Sequence, residues 1–379
     1  MKKSLIAVAV AGVFAAPVAM ADGMAINGVI DIGVASQKGA GTFLEHGALT
    51  DHDAINFQWT EDLSTGLKAI VNLEAGFGQN GDAADGGRTG GGANAHGTNV
   101  LFSRETYVGL SGDFGTVRMG QILSPQVIAA ASNTLGVGQF FVERLLIGGR
   151  GAAALSGNVG VQAGNGGFFI PNAIAYSTPD MQGWKASVLG SLKAGANDGA
   201  VLGNTVNDKY LAAHIGGPIG PVTLNVGYSK RDGNIVNPGY TSLSLGGTMN
   251  LSDELSIAAG AFRNKDADAT ATIMSYNVGV AYKLPTSTTL SAQYGRSNLD
   301  RTTSPSSGFF TSSKDPSIWA LAAVHDLSKM TKVYLIVSGA THGASATLGN
   351  RGNTALPLDN GSSQADNNQA LTVGLAKTF

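Results

Sequence analysis

The chain has 379 residues, with 24 Lys and Arg against 26 Asp and Glu, six histidines, 54 glycines and no cysteine. A formal net charge of −2 excludes the strongly basic surface that a nucleic-acid partner requires. The absence of cysteine excludes the disulfide framework on which small exported domains rely, so stability has to come from another source.

The N-terminal stretch begins with Lys2 and Lys3, continues as an almost uncharged apolar run, and closes on Ala19-Met20-Ala21. This pattern predicts a signal peptide over residues 1–21 with cleavage between Ala21 and Asp22. Pro17 inside the run and the small-residue triplet argue against a membrane-spanning anchor. Removal takes away Lys2 and Lys3 and no acidic residue, leaving 24 − 2 = 22 basic against 26 acidic residues, a net of −4. Residues 22–379 then read as a single domain, and nothing in them resembles an apolar helix long enough to span a bilayer. An exported chain that is apolar on average yet has no such helix is best accommodated as a closed β-barrel, whose strands are apolar only at every second position.

The alternation is visible along the chain. In 66–77, Leu67, Ala69, Val71, Leu73, Ala75 and Phe77 share one face, while Lys68, Asn72 and Glu74 share the other. In 220–230, Val222, Leu224, Val226 and Tyr228 alternate with Thr223, Asn225, Gly227 and Ser229, and Leu290, Ala292 and Tyr294 repeat the pattern in 287–297. Period two sustained in this way means strand. A second face of Ser, Thr, Asn, Gln and Gly suits a wet lumen better than the packed core of a sandwich. Such segments are predicted at 25–35, 53–61, 66–77, 100–111, 115–122, 172–179, 183–193, 207–216, 220–230, 240–250, 254–264, 274–283, 287–297, 315–326, 330–341 and 369–379. Their number is even, as a single-chain bacterial barrel requires.

Short connections rich in Gly, Pro, Asp and Ser, such as 61–66, 111–115, 178–183 and 251–254, alternate with long ones at 36–52, 78–99, 123–171, 194–206, 231–239, 265–273, 298–314 and 342–368. The fold class is therefore all-β: a 16-stranded antiparallel transmembrane barrel, with long extracellular loops at one rim and short periplasmic turns at the other. A barrel of this size leaves an aqueous channel. The last strand continues as Leu371, Val373, Leu375, Lys377 and Phe379, which places Phe379 in an aromatic girdle at the periplasmic interface.

The stretches "INFQWTEDLSTGLKAIVNLEAGF" (55–77), "SRETYVGLSGDFGTVRMGQ" (103–121), "NAIAYSTPDMQGWKAS" (172–187) and the terminal "VGLAKTF" resemble the general porins of Gram-negative bacteria, in particular the proteobacterial trimeric type. The resemblance implies a homotrimer in the outer membrane whose barrels are narrowed by an inward-folded third loop, here about 123–171. It further implies that the terminal aromatic, Phe379, is read by the barrel-assembly machinery, and that the glycine-rich segment 85–97 latches neighbouring subunits. Gly120-Gln121 departs from the family's common Gly-Arg, and Ala376-Lys377 stands where an Arg-His pair is frequent. The third loop carries a single carboxylate. These departures bear on ion preference and leave the fold as it is.

A diffusion pore has no reaction centre; fixed charges at a narrowing sort solutes by size and sign. Parity puts Lys68, Arg118 and Lys185 on the lumen face together with Asp31, Glu74 and Glu105, and the third loop adds Glu143, Arg144 and Arg150. This set predicts a weak anion preference or near-neutrality for ions and small hydrophilic solutes. The apolar run 142–149 within the third loop reads as packing against the wall. No histidine pair has the spacing of a metal site, although Asp51-His52-Asp53 is an acidic cluster in the first loop. The pattern calls for no cofactor, no metal and no catalytic group. A substrate-specific channel is second to the open pore, because the tyrosines are scattered rather than aligned as a track. A barrel enzyme is less favoured still, because such barrels have fewer strands and the long loops hold no convincing Ser-His or Asp-His pair beyond Asp51-His52.

Overall fold

Period-two alternation becomes strand, and the strands meet edge to edge until none is left open. The computed structural model describes residues 23–38, 41–50, 52–77, 102, 104–135, 169–192, 209–232, 240–266, 272–299, 317–341 and 367–379. The strands are β1 (Gly23–Gln37), β2 (Gly41–His46), β3 (Asp53–Asp62), β4 (Lys68–Phe77), β5 (Thr106–Gly112), β6 (Gly115–Leu123), β7 (Phe169–Ser177), β8 (Lys185–Ser191) and β9 (Tyr210–Ile219). They continue as β10 (Val222–Arg231), β11 (Tyr240–Asn250), β12 (Leu255–Asp266), β13 (Thr272–Lys283), β14 (Thr288–Leu299), β15 (Ser317–Ser328), β16 (Thr331–Thr341) and β17 (Asn367–Thr378). A helix, α1 (Pro125–Ala131), follows β6.

From β3 onward each strand pairs antiparallel with the next, and β17 closes on β1 in a register running from Val29↔Thr378 to Gln37↔Ala370. At the end of this seam Gly28 and Phe379 exchange backbone hydrogen bonds of 3.0 and 3.1 Å. Closure pairs the backbone groups of every edge, which a sheet in hydrocarbon has to do.

Among the described residues, seventeen strands fill sixteen positions. On the edge of β1 away from β17, β3 pairs with Gly23–Val29 and β2 pairs with Ile32–Gln37. Strands β2 and β3 thus share one place in the wall, and the chain leaves that place between His46 and Asp53. The first loop, expected as a plain connection over 36–52, instead contributes a strand. Strand β5 also starts later than the alternation suggested, at Thr106 rather than near 100.

The two faces separate as a barrel in lipid demands. Outward residues are large and apolar yet exposed: Trp59 is 55% exposed, Ile174 59% and Val373 54%. Surface of that kind is stable only against hydrocarbon. Inward positions carry Asn72, Ser187, Asn225, Ser244, Ser275, Asn277, Gln293 and Thr372, all buried. Among the described residues no helix is long and apolar enough to cross a membrane, so the strands do the spanning.

Candidate pore constriction

The third loop starts from a charged root. Glu105, just before β5, takes the backbone N–H of Leu123 at 2.9 Å on the carboxylate oxygen that lies 3.5 Å from Arg118 Nη1. Arg118 lies over the Tyr107 ring, 5.2 Å from its centroid, a cation–π contact that orients the guanidinium. One strand away, Arg104 Nε donates to Glu74 Oε1 at 2.6 Å and its Cζ sits 4.8 Å from the Phe169 ring centroid. Gln121 Nε2 donates to the Arg104 carbonyl at 2.6 Å, and Asn72 Nδ2 to that of Glu105 at 2.9 Å. Strands β4, β5 and β6 are thereby tied together on their inner face where the loop departs.

Beyond the root, Ser124 caps α1: its side chain accepts from Gln126 N–H at 3.2 Å, and Pro125 opens the helix. These are the residue types a helix start favours. The Ser124 hydroxyl also meets Tyr210 Oη at 2.7 Å, and Gln126 Nε2 donates to Ser242 Oγ at 3.1 Å. The helix lies so close to the wall that a Cβ on Gly227 would come within 2.5 Å of Ala129 Cβ. Asn133 then presses on Gly246, and its carbonyl accepts from Asn277 Nδ2 at 2.8 Å. The described part of the third loop is thus seated inside the barrel along β9 to β13, as the resemblance implied.

The first loop turns inward as well. Asp31 faces the lumen from β1, but its side chain is wholly buried and accepts four hydrogen bonds. Leu49 N–H donates at 2.7 Å, Thr50 N–H at 2.8 Å, Thr50 Oγ1 at 3.1 Å and Tyr334 Oη at 2.6 Å. The break between β2 and β3 would orphan the backbone of Asp31, which is costly in a buried site. Instead the Asp31 N–H donates to Asp53 Oδ1 at 2.6 Å, and its C=O accepts from Gly47 N–H at 2.9 Å. Asp53 also contacts His46 Nδ1, and Glu45 accepts from Thr372 Oγ1 at 3.1 Å. His52 closes the turn beside Glu74, with Nε2 4.0 Å from Oε1. Burial, reinforced by the Arg104 guanidinium, holds the His52 ring well below the ordinary histidine range, so it is neutral and adds no charge here.

The structure therefore gathers Glu74, Glu105 and Arg118 of the expected lumen charges and sets Asp31 behind the first-loop turn. Lys68 and Lys185 do not join them. Each opens its strand beside a short turn, and Lys185 pairs loosely with the exposed Asp180 at 4.0 Å. Glu143, Arg144 and Arg150 lie outside the described residues, as do Ala21, Asp22, Asp51 and the glycine-rich segment 85–97. Phe379 is half-exposed on the outward face at the short-turn rim. Arg104, His52 and Tyr334 were not singled out from the sequence as pore residues. Parity would put Arg104 on the outward face, but the chain is not yet strand there. Its one visible signal is its place next to Glu105. The two described members of Asp51-His52-Asp53 do not act together, since His52 turns to Glu74 and Asp53 to His46. Among the described residues no three His, Cys, Asp or Glu side chains are grouped to hold a metal ion.

The chain matches the family model described as Gram-negative porin over residues 7–339. It is 29% identical over 296 residues to outer membrane porin protein 32 of Delftia acidovorans, covering 74% of this chain and 67% of that protein. Among solved structures, an anion-selective porin from Comamonas acidovorans superposes with a TM-score of 0.69 at 22% identity, over 94% of this chain and all of that one. A trimer form of the outer membrane protein OmpT of Vibrio cholerae gives 0.63 at 10% identity, over 95% of this chain and 100% of that one. A closed barrel with a lipid-facing exterior, a polar interior and an inward third loop agrees with the sequence match: the chain belongs to the Gram-negative porin family.

Proposed function

We propose that the passive diffusion conducted by this outer-membrane channel is weakly anion-selective, with the sign set at the root of the third loop. The channel itself, for ions and small hydrophilic solutes, follows from family and fold. One observation carries the finer reading. The inner-wall carboxylates Asp31, Glu45, Asp53 and Glu74 are buried and engaged. At the loop root Arg118 and its partner Glu105 are about equally open, with 17% and 19% of their side-chain surface accessible, while Lys68 on the same wall is half-buried and has no carboxylate set against it among the ion pairs of the described residues. Arg118 and Glu105 offset one another, so the net sign comes from the remaining bases, and fixed charge at close range sorts ions by sign. Glu143, Arg144 and Arg150 on the third loop are assigned to the same narrowing, with two bases to one acid. Lys68 and Lys185 are assigned to the periplasmic mouth.

Arg118→Ala is expected to move the reversal potential under a salt gradient toward cations, because Glu105 is then left uncompensated at the loop root. An unchanged reversal potential in a folded, conducting variant would remove Arg118 from the narrowing. The same reading takes the mature chain to begin at Asp22, after a signal peptide ending at Ala21. It takes the assembled form to be a homotrimer in outer-membrane lipid, with Phe379 presented to the barrel-assembly machinery.

A further inference from the structure

The first-loop turn enters the barrel as the third loop does, and it is held there by a clasp of its own. We infer that Gly47–Thr50 is a second inward element of the channel, and that Asp31 and Tyr334 are positioning residues that hold it in the lumen. The inference rests on the barrel being an open pore.

The turn is directed inward by its partners. Ala48 belongs to one buried apolar cluster with Phe262, Ile318 and Ile336, all inner-face residues of β12, β15 and β16. That cluster includes Ala130 of α1, so the two inward segments share one wall. Leu49 packs against the same cluster and remains half-buried.

The clasp that holds the turn is built across the closing seam. Tyr334 on β16 pairs in register with Gly374 on β17, and Gly374 with Gly33 on β1. A Cβ on Gly374 would lie 2.2 Å from Tyr334 Oη, and one on Gly33 would lie 2.9 Å from it. The two glycines leave a trough along which the tyrosine crosses from β16 to Asp31. Its hydroxyl and the two turn N–H groups converge on one carboxylate, and hydrogen bonds to an ionised group are the strong kind. A connection lying on the outer surface needs neither the trough nor a buried carboxylate.

The arrangement has a directional consequence. The turn covers Asp31, and Asp31, Glu45 and Asp53 are all sealed from the lumen. Releasing the turn widens the pore and uncovers these carboxylates, so conductance rises and selectivity moves toward cations together.

The native chain has no cysteine, so Leu49→Cys introduces its sole thiol. The refolded L49C protein is recorded in a planar bilayer while a negatively charged, membrane-impermeant methanethiosulfonate is added. A stepwise loss of current per barrel is expected. In D31A/L49C the starting conductance is expected to be larger and the loss smaller, with reversal shifted toward cations. D31N, which keeps an acceptor for Leu49 and Thr50, is expected to stay close to the unsubstituted channel. Modification of L49C confirmed by mass without a change in current overturns the inference, as does a thiol in L49C that reacts only after unfolding. Current from the unlabelled protein tests the pore separately: if that is silent while the barrel is folded, the channel reading fails before the turn is at issue.

Discussion

Arg104→Ala is expected to destabilise the barrel by about 3–5 kcal/mol, the usual penalty for leaving one member of a buried ion pair behind. Glu74 and Arg104 are only 7% and 3% exposed, so water does not replace the lost guanidinium. Removing both charges, as Glu74→Gln with Arg104→Met, is expected to restore most of the stability, since two apolar or neutral groups of similar size leave nothing unpaired. Urea unfolding of the refolded protein in lipid vesicles measures both variants. An R104A transition coinciding with that of the unsubstituted protein would mean that Glu74 has another cation partner.

Gly374→Ala is expected to be the second most damaging change, although it adds only a methyl group. That methyl would lie 2.2 Å from Tyr334 Oη and 2.3 Å from Cζ, so the tyrosine has to leave its trough. Overpacking of this kind typically costs about 1–3 kcal/mol. Losing the hydrogen bond to the Asp31 carboxylate adds roughly 1.5–3 kcal/mol. In a Tyr334→Ala background the substitution is expected to cost less, though not nothing, because the methyl would still lie 2.8 Å from Gly33 Cα. Equal penalties in both backgrounds would show that Gly374 is required by the β1–β17 seam itself and not by the tyrosine.

Much of the wall was legible in the sequence because a barrel writes its pattern locally. Strand β11 runs over Tyr240–Asn250, the span that alternation gives, and Val117 and Met119 point outward around Arg118 as parity requires. Where the pattern failed, the cause was a contact between distant residues. Tyr334 and Asp31 are 303 positions apart, and a lone tyrosine in an apolar strand gives no sign of its partner. Parity correctly turned Asp31 toward the lumen, yet it carries no information about a turn that covers the side chain. Strand β2, six residues long, is too short for alternation to separate it from a loop. Arg104 was hidden because the parity rule was extended into a segment that bends before β5 begins. At the charged root, residue type and face were readable, while the pairing of Glu105 with Arg118 and with Leu123 N–H depended on where β6 ends.

The proposed channel is an open pore whose narrowing leans toward anions. Single-channel recording of the refolded protein in a planar bilayer, with the reversal potential under a potassium chloride gradient, reads out both properties at once. Steady conductance steps, arriving in groups of three, are expected, with a reversal potential displaced modestly toward the chloride equilibrium value. A folded protein that passes no current would rule out the open pore, and a reversal potential on the potassium side would rule out the anion preference.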